Sequence, residues 1–535
     1  MSAERHQISE RTTERVRLNP VIPGFAPDPS IVFVDGTYFL VNSSFHIFPG
    51  LPVYASKDLR EWKHIGNALN RVGMLSLQDS LTKLVGPDDE GIMIAAQGGI
   101  MAPTIRYHKG VFYIVSTNVS HNEPLPPGQS EFQNFILSTK NIWADEWSDP
   151  VFFDFHGIDT SLFWDDDDRV YLIGAAAPSP ETKIRQFEID LKTGARRSEE
   201  RLLWEGITKV YPEGPHMYKK DGWYYLLIAE GGCFADHHVI MARSRDIWGP
   251  YEANPANPVL AKTNLTSYIQ YTGHGDLFQD PSGKWYFVCL GVRKNNGRFI
   301  MGRESVLTTA TWPQGEYPVI DTVHLDVPLA IEKQTSPAWP SRRSFERPDV
   351  AFVHIRDPIG ESYRYDGKII TLSASKGDIA QFQEPVTFIG KRQRCLNGSS
   401  SARLISFVPS LVTGFALKTG LCYYKDEHRF IRAFLDVDAG KVVLEVVNKA
   451  RYIHRRTSQT LGEIIEGVGL TFGVDYTELE FVFWYSVSNG VGKKEQFGRM
   501  DTLDMTGHDF VGPIVGIFAV GGKEADVRWS DLIVA

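Results

Sequence analysis

One hairpin, written five times, limits this chain more than any other feature. The stretches "DPSIVFVDGTYFLV" from Asp28, "APTIRYHKGVFYIV" from Ala102, "DTSLFWDDDDRVYLI" from Asp159, "EGPHMYKKDGWYYLL" from Glu213 and "HGDLFQDPSGKWYFV" from His274 share one plan. Each enters an apolar strand, turns at Gly or Asp, and returns as an aromatic-rich strand, which is the pattern of a β-hairpin. The chain between successive copies has room for a four-stranded unit apiece with loop insertions. Four-stranded units repeated radially leave only short, protected sheet edges, so the repeat predicts a β-propeller of five blades. The longest interval holds "LSLQDSLTKLVGPDDEGIMIAAQGG", an insertion expected to fold over one face.

Around "AIEKQTSPAWPSRRSF" proline and charge break the pattern, as a linker does. Beyond it, alternating runs such as "RFIRAFLDVDAGKVVLEVV" and "ELEFVFWYSV" are separated by Gly and Asn turns, and "VRWSDLIVA" reads as a closing strand. Alternation of period two at this spacing predicts a sandwich. The fold class expected is all-β: a five-bladed β-propeller over residues 18–328, then a C-terminal, jelly-roll-like β-sandwich over 345–535. A chain of 535 residues is too long for one core, which agrees with two domains.

Acids and bases are interspersed, with a formal net charge of -9, which argues against nucleic acid, whose binding normally needs a basic patch. Aromatic residues make up 12% and recur beside Gly and Asp turns, which favours a flat, carbohydrate-like ligand over a phosphate. Cys233, Cys289, Cys395 and Cys422 show no CxxC spacing and are expected to be free. The polar start "MSAERHQISERTTERVRLNP" has no apolar leader segment, so the expectation is a cytoplasmic protein, or a secreted one if a leader has been removed. No run approaches the roughly 18 apolar residues of a membrane span.

If the hairpins are equivalent, their first residues meet at the axis. Those residues are Asp28, Ala102, Asp159, Glu213 and His274. Asp28 stands between Pro27 and Pro29, stiff and outside the strand ladder. Taken singly, an Asp before a strand is ordinary turn chemistry and a lone His is ordinarily a satisfied core residue. Recurrence at one position of four repeats makes them a ring of acids with an imidazole. Such a ring suits glycoside hydrolysis, in which one carboxylic acid protonates the leaving oxygen and a second carboxylate activates water. Glu213, longer and on the apolar rim after Pro212, fits the general acid; Asp28 fits the base, and Asp159 a modulator of the acid's pKa. The run Asp165 to Asp168 lacks calcium-loop spacing and reads as a solvated turn. Gly98-Gly99 and Gly231-Gly232 precede no helix and are not phosphate loops.

The stretches "NPVIPGFAPDPSIV", "NSSFHIFPGLPVYASKDLREW", "GGIMAPTIRYHKGVFY", "YPEGPHMYKKDGWYYLLIAEGG", "GHGDLFQDPSGKWYFVCLGVR" and "MGRES" together resemble glycoside hydrolase family 43, in its branch of two-domain β-xylosidases and α-L-arabinofuranosidases. The resemblance implies a five-bladed propeller, an inverting mechanism and no cofactor required for the chemistry. It implies the same trio, Asp28 as base, Asp159 as modulator and Glu213 as acid. It further implies that Arg293 in "LGVR" holds the terminal sugar and Phe45 forms an aromatic wall. His274 would stand on the propeller axis, where some relatives hold a structural calcium. Phe510 in "DFVGPIVGIFA" would close the pocket and impose action on chain ends.

Three departures bear on the sugar. Met101 stands where relatives often have a stacking tryptophan, and Cys233 where many have a threonine hydroxyl. The pair His237-His238 leaves open which one matches the family's single histidine. The function expected is hydrolysis of terminal β-1,4-D-xylose, α-L-arabinofuranose or both from xylo-oligosaccharides or arabinoxylan fragments. The alternatives are an arabinoxylan-debranching arabinofuranosidase with an open cleft and a catalytically silent carbohydrate-binding propeller. The partner expected is the carbohydrate, with no nucleic acid and no membrane.

Overall fold

The computed structural model describes residues 13–87, 91–122, 131–261, 264, 266–330, 349–407, 417–461, 469–487, 492–521 and 525–535. The expected linker falls almost wholly on 331–348, outside the described residues. Each repeat opens a four-stranded antiparallel sheet. The first sheet begins with Ser30–Val34, the second with Gly99–His108, the third with Gly157–Trp164, the fourth with Glu213–Lys220 and the fifth with Ile269–Gln279. In the first blade Asp35 and Gly36 both take positive φ (47° and 75°), the two-residue turn that matches strand twist, and so Val34 pairs with Thr37.

The leading strands touch one another in a closed cycle, first to second, second to third, and finally fifth to first. That cycle is the axis of a five-bladed propeller. Between neighbouring blades lie apolar layers; one unites Ile31, Tyr38 and Leu40 of the first blade with Phe278, Tyr286 and Val288 of the fifth. The ring is sealed there by the N-terminal segment. Thr13–Arg17 pairs with Asp326–Ala330, and the Asn19 side chain donates to the carbonyls of Leu307 and His324.

The C-terminal domain packs a seven-stranded sheet on a six-stranded one, both antiparallel. Alternating residues such as Phe472, Val474, Leu421, Tyr423, Ile517 and Trp529 fill the space between them. The closing strand, Asp526–Ile533, lies inside the larger sheet, between Ile369–Ser373 and Gly398–Phe407.

The two domains are interlocked. The insertion in the propeller forms a hairpin, Thr82–Val85 with Ile94–Gln97, and the sandwich segment His508–Asp509 adds to it in parallel. Asp509 is itself fully buried, bonded by both Lys425 and Arg429, while Arg429 also grips Asp426. Three residues on, Gly512 presses against the propeller; a Cβ there would lie 2.5 Å from Met301 O and 2.9 Å from the Phe25 backbone. Because those atoms are backbone and cannot turn aside, Gly512→Ala is expected to cost about 1–3 kcal/mol, read as a lower melting temperature, by prising the segment around Phe510 off the propeller.

Candidate active site

The heads of the leading strands depart from regular β-structure in a way that aims their side chains. Asp28, Ala102, Asp159 and His274 all have left-handed backbones, with φ of 52°, 47°, 56° and 42°. In the fourth blade the left-handed residue is Gly214, φ 58°, so Glu213 sits one position ahead of its expected counterpart. Bulges interrupt the pairing beside Asp159, Glu213 and His274. Such irregularities re-aim side chains and concentrate at functional sites. Glycine suits position 214 on two counts, the positive φ and the His274 ring, which would stand 3.1 Å from a Cβ; the Gly214 N–H donates to Asp159 Oδ2 at 3.0 Å.

All three carboxylates are buried. Asp28 accepts the Ser43 hydroxyl at 2.5 Å, and its other oxygen lies 3.5 Å from the Arg303 guanidinium. Burial alone would raise its pKa; Arg303, His274 and Ser43 outweigh it and hold the group below the usual carboxylate range. Asp159 goes the other way. Burial, then the charges of Glu213 and Asp28, push it up to about 7 against the opposing pull of His274, whose Nδ1 lies 3.7 Å away. Glu213 Oε1 stands 3.5 Å from His237 Nε2 and accepts the Cys233 thiol at 3.8 Å. Against burial, His237 first and His274 second hold Glu213 below its ordinary value. Burial among like charges thus disfavours the anion at Asp159, while the two histidines favour it at Glu213.

The walls are aromatic. Phe45 stacks on Phe25 with centroids 6.2 Å apart and faces Phe510 at 6.2 Å; Met101 packs against the same cluster. Phe510 arrives from the sandwich and also meets Phe234 at 6.3 Å. The cation in this wall is Arg303: its guanidinium lies 4.7 Å from the Phe510 ring centre and donates to the Phe510 carbonyl at 3.1 Å. Arg293, the arginine expected to hold the sugar, is instead spent on both carboxylate oxygens of buried Glu304, each at 2.8 Å. Arg303 was available in the "MGRES" stretch, where its neighbour Glu304 turns the other way to take Arg293. Of the two adjacent histidines, His237 faces Glu213, while His238 lies 3.8 Å from Glu230.

The calcium expected beside His274 finds no cluster of ligating side chains among the described residues. Calcium takes six to eight oxygen ligands, and among the described residues no group of three or more His, Cys, Asp and Glu side chains is placed to hold a metal. The axis is already filled by a cation: Arg106, from the second blade, bonds Asp276 of the fifth at 2.7 and 3.3 Å, His216 of the fourth at 2.8 Å and Ser30 of the first at 3.2 Å.

Residues 17–318 match the profile described as "Glycosyl hydrolases family 43", and 343–532 that of a "Beta xylosidase C-terminal Concanavalin A-like domain". The chain is 31% identical over 529 residues to a non-reducing end alpha-L-arabinofuranosidase of Bacteroides ovatus, covering 96% of this chain and 93% of that protein. It is 37% identical over 332 residues to a xylosidase/arabinosidase of Butyrivibrio fibrisolvens, covering 58% and 59%. Its fold superposes on the crystal structure of a family 43 protein from Bacillus licheniformis with a TM-score of 0.81 at 27% identity, covering 97% of this chain and 99% of the other.

The raised pKa of Asp159 has a sign that can be measured. A carboxyl that ionises near 7 in the fold and near roughly 3.9 when unfolded contributes stability that is full below the lower value and is lost as pH rises through the upper one. Asp159→Asn is therefore expected to melt higher than the parent at about pH 8, with the difference shrinking as pH falls and closing below about pH 4, where the carboxyl is neutral folded and unfolded alike.

Proposed function

Because the chain belongs to glycosyl hydrolase family 43, we propose that it is an exo-acting, inverting glycosidase that releases terminal β-D-xylose, α-L-arabinofuranose or both. The observation that carries this reading is the set of three buried carboxylates at the heads of the leading strands, under a roof supplied by Phe510 of the second domain. Asp28, kept ionised by Arg303 and Ser43, acts as base: it takes a proton from a water whose oxygen attacks the anomeric carbon. Glu213 gives its proton to the departing glycosidic oxygen as the C–O bond breaks. His237, with Nδ1 3.2 Å from Tyr271 O and Nε2 3.5 Å from Glu213 Oε1, orients that carboxyl. Asp159 accepts the Gly214 N–H, which fixes it to the stretch of backbone that carries Glu213, and its charge modulates the acid.

The roof favours action on chain ends over an open, debranching cleft, since Phe510, Phe45 and Phe234 close one side of the pocket with rings. Arg303, between two of those rings and Asp28, suits a hydroxyl-bearing terminal sugar. The wall at Met101 and the thiol of Cys233, beside the acid, set the choice between the six-membered xylose and five-membered arabinofuranose rings. The arabinofuranosidase and xylosidase/arabinosidase names of the two relatives favour a site open to both.

Rates on nitrophenyl β-D-xylopyranoside and nitrophenyl α-L-arabinofuranoside test the reading directly. Turnover of at least one is expected, with a loss of about 10²–10⁴-fold in Asp28→Ala, and proton NMR of the first product is expected to show inverted anomeric configuration. Retention, or an Asp28→Ala variant as fast as the parent, would remove the proposal. Arg303→Lys keeps the charge but not the planar fork; its kcat/KM is expected to fall by about 10-fold or more on both substrates, whereas Arg293→Lys acts through stability.

A further inference from the structure

A second cavity, of about 430 Å³, lies where the propeller meets the sandwich. Tyr54, Trp62 and His64 of the first blade line one side; Lys391, Arg392 and Arg394 of the sandwich line the other. Arg392 is 4% exposed, and its Nε and one terminal nitrogen have no hydrogen-bond partner among the described residues. A buried cation is ordinarily paired, because leaving water uncompensated is expensive. The Phe25 ring, 5.3 Å from the guanidinium, offsets only part of that cost.

The neighbours add charge of the same sign. Arg394 donates to the carbonyl of Pro23 and the hydroxyl of Tyr54, both at 2.5 Å and both uncharged. Lys391 pairs with Asp349 at 2.7 Å, so that carboxylate is engaged away from both guanidinium groups. Burial, with Arg394 adding to it, pushes Arg392 down to about 10, the direction expected of a cation without a counter-ion. We propose that this cavity is a binding site for a small organic oxyanion, in which Arg392 and Arg394 take a carboxylate or phosphate group and Trp62 and Tyr54 flank the ring that carries it. The volume falls in the range of small-molecule sites, more than a bare ion fills, and paired guanidinium and aromatic faces suit a sugar acid. The site is separate from the three carboxylates, which repel such a ligand.

Thermal melts at constant ionic strength, with D-glucuronate, inorganic phosphate or D-glucose added to the full chain, test the assignment. Glucuronate is expected to raise the melting temperature by about 3 °C once it exceeds its Kd by about 100-fold. Glucose is expected to leave it unchanged, and the ratio of the phosphate and glucuronate midpoints tells a free phosphate from a sugar acid. In Arg392→Met the response disappears, while the ligand-free variant melts no lower than the parent because an unpaired charge is gone. If that variant does not fold, Lys391→Met decides, with an expected rise of about 3-fold or more in the glucuronate midpoint. No response to either anion, an equal response to glucose, or a response that survives unchanged in the variants overturns the proposal.

Discussion

The guanidinium of Arg106 ties together strands that have no covalent reason to stay in register. It starts in the second blade and reaches Ser30, His216 and Asp276, which belong to the first, fourth and fifth. Asp276 also accepts the hydroxyls of Ser30 and Tyr218, so this one ion pair engages both oxygens of a carboxylate that is 1% exposed. The charge and hydrogen bonds of Arg106, with the Tyr218 hydroxyl, hold Asp276 well below the ordinary carboxylate range, and burial pushes His216 down to about 3, so His216 accepts from Arg106. A propeller without such a plug would carry a polar channel through its core. Here the channel is closed by charge, and the strand heads above it are free to hold the carboxylates.

Those carboxylates divide the labour by environment. Three acids of two residue types sit together, yet Arg303, His274 and Ser43 hold Asp28 below the usual carboxylate range while burial among negative charges makes Asp159 reluctant to ionise. Glu213, like Asp28, is held below its ordinary value, with His237 foremost among the causes. Arg303 and His237 are as much a part of the site as the acids, and both stand on other segments than the acid each faces.

That separation explains what could be read in the sequence. Asp28, Asp159 and His274 recur at one place in a repeat, and their shared left-handed backbone shows why the repeat marks them. The offset of Glu213 from Gly214 was hidden because the repeat aligns letters, not dihedral angles. Arg293 was taken for Arg303 because nothing local tells an arginine that answers a buried Glu304 from one left free to face a pocket; only the pairing of strands across the fifth blade decides. The sandwich followed from alternation. Its grip on the propeller did not, because the buried Lys425, Asp426, Arg429 and Asp509 cluster joins segments far apart in the chain.

Asp509 is followed directly by Phe510, so the most deeply buried charges of the second domain anchor the residue that roofs the first domain's pocket. Chemistry and chain-end selection are thus held by different folding units. On the proposed reading the propeller alone carries the protons that move, and the sandwich limits how a chain presents its end. Substrate length is in this sense a property of the docking interface, open to change through residues that never meet a sugar.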